Sequence, residues 1–131
     1  MGEAMYLVSG TKQEIFDRVV AHLRQQGRPA REGSWCRYLT ADGLKCAVGA
    51  LIPDGHPAQT DLDGDPTPQI LAERYPNLFE PHLVEGGPWG LLRQLQKAHD
   101  EATGANWLAV VEQQLVDVAS QFGLHYTPPA A

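Results

Sequence analysis

The chain lacks any run approaching the ~18 consecutive apolar residues of a bilayer-spanning helix, so no membrane segment is expected in its 131 residues. Cations are scarce, with ten Lys and Arg against sixteen Asp and Glu and a formal net charge of −6. Broad non-specific binding of nucleic acid rests on Lys and Arg neutralising phosphates, and this balance argues against it. The opening residues Met1-Gly2-Glu3-Ala4 lack both the basic start and the continuous apolar stretch of a secretory signal. The expected location is therefore the cytoplasm. Cysteine is scarce too, at two residues, and in a reducing compartment free thiols are expected rather than a bridge. There are no internal repeats.

What is present suits one domain. A chain of this length buries roughly two-thirds of the surface its unfolded form exposes. Ten prolines and thirteen glycines point to long loops. Residues 1–10 read as an N-terminal extension, 11–126 as a single globular domain and 127–131 as a flexible tail. Thr11-Lys12-Gln13-Glu14 is a capping box opening a first helix, in which Ile15, Phe16, Val19, Val20 and Leu23 form one apolar stripe. Residues 34–39 and 43–48 read as a β-hairpin around Asp42-Gly43, which as a two-residue turn would place Leu39 opposite Cys46. The apolar run Cys46–Ile52 suits a buried strand or a buried helix, and a strand turning into a short helix is the reading adopted. A short helix over 68–75 is capped by Thr67. Pro88 is placed to begin a helix whose face carries Trp89, Leu92, Leu95, Ala98, His99 and Ala102. Asn106 is the expected cap of a last helix over 106–122. The sum is an α+β, helix-dominated domain of about four or five helices around one small β-hairpin.

Several constellations invite a functional reading. Asp61-Leu62-Asp63-Gly64-Asp65 resembles a calcium loop, but glycine stands at position 4 and alanine (Ala72) at position 12, where an EF-hand wants Gly at 6 and Glu at 12. No two cysteines or histidines have the spacing of a zinc knuckle, so neither a metal nor a cofactor is expected. His99 lies on the apolar face of its helix, with Asp100 turned about 100° away. A catalytic set of Cys46 as nucleophile, His99 as base and Asp100 as orienter follows if Cys46 begins a helix. The competing reading is a packed structural thiol and a core histidine. Basic residues crowd the first third of the chain, and arginines beside Trp35, Tyr38 and Trp89 suit stacking on a base and pairing with phosphate. The ligand-binding candidates are Arg37, Lys45, Trp89 and His99.

The order Cys36-Arg37-Tyr38, then Gly43-Leu44-Lys45-Cys46-Ala47-Val48-Gly49, Leu51-Ile52-Pro53-Asp54, and later Leu95-Gln96 with His99-Asp100 and Trp107, resembles a group of small uncharacterised proteins of bacteria, prophages and phages. Ala50 stands where some relatives would carry another cysteine. The resemblance brings no catalytic residues. It implies an accessory protein that acts on a host protein or a small signalling molecule. The leading expectation is thus a small cytoplasmic binding protein for an anionic, nucleotide-like molecule or a host partner. The alternatives are a cysteine-dependent hydrolase or transferase, and a homo-oligomerising interaction module using helix 106–122.

Overall fold

The first helix forms where its capping box starts it. The computed structural model describes residues 5–33 and 35–128 and leaves the Trp35 side chain undescribed. α1 (Lys12–Gln26) has Thr11 accepting from the Glu14 amide while the Glu14 side chain accepts from the Thr11 amide, and it ends on left-handed Gly27. Its Ile15, Phe16, Val19, Val20 and Leu23 are all buried. α2 (Pro68–Arg74) follows Thr67, whose hydroxyl accepts from the Ile70 amide. α3 (Leu91–Glu101) and α4 (Trp107–Phe122) complete four α-helices among the described residues. α1, α3 and α4 pack on one another around a single core that also takes in Val48, Leu51, Ile52, Leu71, Leu78 and Leu83. Each such side chain contributes roughly 1.5–3 kcal/mol when fully buried. No helix among the described residues is long and apolar enough to cross a membrane.

The β structure departs from the expected ladder. β1 (Arg31–Glu32) and β2 (Trp35–Cys36) form a two-stranded antiparallel pair with Arg31 opposite Cys36. Among the described residues, the segments 34–39 and 43–48 share one isolated bridge, Leu39 with Lys45, one residue short of the expected Cys46. The reason lies in competing partners. Gln26 at the end of α1 accepts from the Lys45 amide at 2.9 Å and donates to the Lys45 carbonyl at 2.8 Å. Thr40 Oγ1 accepts from the Leu44 amide at 2.9 Å, tying the loop to itself. A side-chain amide has replaced the second strand. Beyond it Cys46–Ile52 forms consecutive tight turns, with Ala50 N–H bonded to the Cys46 carbonyl and Leu51 N–H to the Val48 carbonyl, both at 3.0 Å. Neither the strand nor the short helix of the expected strand-to-helix segment forms, turns taking the place of both.

Two helix starts also differ. Pro88 sits in a 3-10 turn (Gly87–Trp89), and α3 begins only after Gly90. A Cβ on Gly90 would lie 2.4 Å from the Glu85 carbonyl oxygen, so the chain folds back on itself there before the helix can start. Trp89 is thereby left off the buried face, 68% exposed. Asn106 holds the cap position of α4 without a side-chain cap bond; its carbonyl accepts from Val110 N–H at 3.1 Å. The apolar stripe of α4 (Trp107, Val111, Leu115, Val118, Ala119) is buried within the chain itself, leaving Val116 as its exposed large apolar residue.

At the ends, Val8 is fully buried and bridges Phe79 in parallel. Glu80 N–H in turn donates to the Val8 carbonyl at 2.9 Å. Residues 7–10 are therefore docked on the body, and Gly10 N–H donates to Glu80 Oε1 at 3.0 Å. Residues 1–4 of the expected extension and 129–131 of the expected tail lie outside the described residues.

Candidate functional site

α3 has two faces of different character. Leu91, Leu92, Leu95, Ala98 and His99 are buried, while Arg93, Gln96, Lys97, Asp100 and Glu101 repeat at intervals of three and four as a polar stripe in which Gln96 is also buried. That polar stripe is the floor of a groove with two adjoining depressions. The deeper, of about 180 Å³, is lined by Cys36, Arg37, Tyr38, Asp65, Arg93 and Asp100 together with the 61–68 loop. The second, of about 340 Å³, runs on across Arg93, Gln96 and Asp100 to Pro88, Trp89 and Lys97.

The stripe is braced from beneath. His99 is fully buried; its Nε2 accepts from the Ala30 amide at 2.9 Å. That bond fixes the tautomer, so Nδ1 carries the proton and donates to Asp100 Oδ1 at 2.7 Å. Gln96 accepts from the Val48 amide at 3.1 Å and donates to the same Asp100 oxygen at 2.7 Å. Arg31 donates to the Asp100 and Ala102 carbonyls at 2.9 and 2.7 Å, closing the C-terminus of α3, and its Nε lies 3.4 Å from Cys36 Sγ. Trp107 packs edge-on against the His99 ring at 5.4 Å.

The sequence-derived candidates separate into groups. Arg37 and Trp89 line the groove, one in each depression. Arg37 is a half-buried side chain facing Glu32 across 3.6 Å. His99 lies under the groove, and Lys45 lies elsewhere, ion-paired with Asp54 beside Arg18 and His22. Trp35, as a stacking partner, falls outside the described side chains.

Cys46 is fully buried, its Sγ 3.3 Å from the Gly49 amide. Burial pushes its thiol well above the ordinary range, an effect that the Gly49 amide only partly opposes. Neither nitrogen of His99 is open to accept its proton, since Nε2 is taken by Ala30 and Nδ1 is itself a donor. The cysteine near His99 and Asp100 is Cys36 instead, and the three offer ligand atoms within 4.8 Å of one another. They do not suit a metal. A ligating histidine donates its second N–H outward, whereas His99 receives one from Ala30. Burial also raises the Cys36 thiol, with Arg31 opposing. In the acidic loop Asp61 is committed, pairing with Arg74 at 3.1 Å and with the Tyr75 hydroxyl at 3.0 Å.

Arg93, Gln96 and Cys36 were missing from the sequence-derived site list. The first two were legible as the polar stripe opposite the apolar one on α3. Cys36 had no such signal, because tertiary bonds bring β2 to the end of α3, from Arg31 to the Asp100 and Ala102 carbonyls and from the Ala30 amide to His99. No protein-family model, curated protein or solved structure matches this chain.

The two thiols should differ sharply in alkylation. Since thiolate is the attacking species, Cys46 is expected to stay unmodified by iodoacetamide until the protein unfolds, and Cys36 to react slowly in the native state. Peptide mass mapping of timed samples reads this directly. Native-state labelling of Cys46 faster than Cys36 would reverse the assignment.

Proposed function

We propose that the protein is a binding protein for a small anionic molecule of nucleotide-like shape, held in the α3 groove. The observation that carries this reading is the half-buried Arg93, set on the shared wall of both depressions and without an ion pair among the described residues. A guanidinium so placed supplies a planar fork for phosphate or carboxylate. Arg37 adds a second cation in the deeper depression. Trp89 offers an exposed aromatic face in the shallower one, where stacking on a flat ring contributes about 1–3 kcal/mol. Of the groove's carboxylates, Asp61 is paired with Arg74 and Glu101 with Lys97, whereas Asp65 and Asp100 have no Lys or Arg paired with them among the described residues, so the groove suits a ligand that brings a donor edge as well as an anionic group.

The binding reading supersedes Lys45 and His99 as contacts and assigns His99 a supporting role. It needs no activated thiol, which sets it ahead of cysteine catalysis. Calorimetry against nucleoside monophosphates and cyclic nucleotides tests it. Saturable binding is expected, weakened roughly tenfold or more in Arg93→Ala, since a charge-assisted hydrogen bond contributes about 1.5–3 kcal/mol. Absence of binding across the panel, or unchanged affinity in Arg93→Ala, would remove this reading.

A further inference from the structure

We infer that Asp100 is the selectivity residue of this groove, its carboxylate reading an N–H group on the same ligand whose anionic part meets Arg93. The inference rests on the small-anion reading and narrows the ligand to one carrying both an anionic group and an amino or amidine edge. The evidence is the way the carboxylate is held. Both of its side-chain hydrogen bonds end on Oδ1, from Gln96 Nε2 and His99 Nδ1, each at 2.7 Å. Each donor has its polarity fixed by a backbone amide of a different segment: Val48 N–H for Gln96 and Ala30 N–H for His99.

The carboxylate therefore cannot exchange its oxygens without losing two bonds from buried donors. Oδ2 takes no nitrogen or oxygen donor among the described residues, the weakly donating Cys36 thiol lying near the carboxylate, and it remains an acceptor of set direction on a side chain that lines both depressions and is 36% exposed. A pre-oriented acceptor beside a guanidinium distinguishes ligands that Arg93 alone could not. An N–H edge would meet Oδ2 favourably, and a carbonyl edge would set lone pair against lone pair. Asp65 also lines the groove, but it is exposed on the loop and has no comparable brace.

Adenosine and inosine monophosphates, and cytidine and uridine monophosphates, differ within each pair in whether an amino or a carbonyl group stands at one ring position. The wild-type protein is expected to bind the amino member of each pair on the order of tenfold more tightly. In Asp100→Asn the amide oxygen keeps its place against the two buried donors, and an NH₂ group replaces Oδ2. That variant is expected to melt close to wild type while its preference vanishes or inverts towards the carbonyl member. A merely structural Asp100 would leave the preference as it is. Equal affinity within both pairs in the wild type, or an unaltered ratio in Asp100→Asn, overturns the Asp100 assignment while leaving the binding reading intact. Failure of all four nucleotides to bind overturns both.

Discussion

Gly49→Ala is expected to destabilise the protein by roughly 3 kcal/mol or more, at the upper end of what overpacking costs. An ideal Cβ at this position would stand 1.8 Å from the Tyr38 carbonyl oxygen and 2.6 Å from its carbon. The obstruction is backbone, so no rotamer change relieves it. Nor can the neighbouring chain withdraw easily. Tyr38 is anchored by its hydroxyl, which donates to the Pro66 carbonyl at 2.7 Å. Gly49 is held by its own carbonyl accepting from Gln59 at 3.1 Å and by the packed turns 46–52. Separating the two segments would open the core at Val48 and Leu51, both buried. Gly43→Ala is the matched control. Gly43 adopts φ +89° with nothing within 4 Å of an added Cβ, so only conformational strain is introduced, about 1–2 kcal/mol. Urea denaturation of the two variants should therefore rank Gly49→Ala well below Gly43→Ala. Equal midpoints would mean that the close approach of the two backbones does not constrain the fold.

How much of this was legible in the sequence depended on whether the signal was local. The Thr11–Glu14 box and the stripe from Ile15 to Leu23 place α1 because every determinant lies within that helix. The same holds for Thr67 before α2. The hairpin was misread because its decisive partner is distant. Gln26 bonds both backbone groups of Lys45 across nineteen positions, and no pattern around Asp42-Gly43 announces that. Pro88 keeps proline's preference for a first helical turn, but in the 3-10 turn Gly87–Trp89, which the fold-back of Gly90 onto Glu85 separates from α3. The site followed the same rule. His99 and Asp100 stood out as a polar pair on an apolar helix, but their roles depend on Ala30 and Val48, which approach from other segments. Cys46 heads an apolar run in the sequence. That apolar setting is what buries its thiol and raises its pKa, while Cys36 reaches the groove through the short β pair.

His99→Leu is expected to cost about 3 kcal/mol or more even though leucine restores most of the lost volume. The substitution removes an acceptor and a donor together. Ala30 is fully buried, and its amide has His99 Nε2 at 2.9 Å; without it, a buried donor is left unpaired at about 1–3 kcal/mol. Asp100 loses one of the two bonds on Oδ1, and the edge-on contact with Trp107 at 5.4 Å is lost with the ring. The loss should propagate outward from there. Ala30 also accepts from the Arg37 amide at 2.9 Å, so loosening it disturbs the wall of the deeper depression. Guanidinium denaturation and the near-ultraviolet circular dichroism of the tryptophans read both effects, and ligand selectivity should weaken with them as Oδ2 loses its fixed direction. Asp100→Asn keeps an acceptor for both buried donors and should stay near wild type in stability, so the two variants separate the brace from the reader. If His99→Leu instead melts within about 1 kcal/mol of wild type, the ring is ordinary core filling, and the Gln96 bond alone is left to hold the Asp100 carboxylate in the orientation that recognition requires.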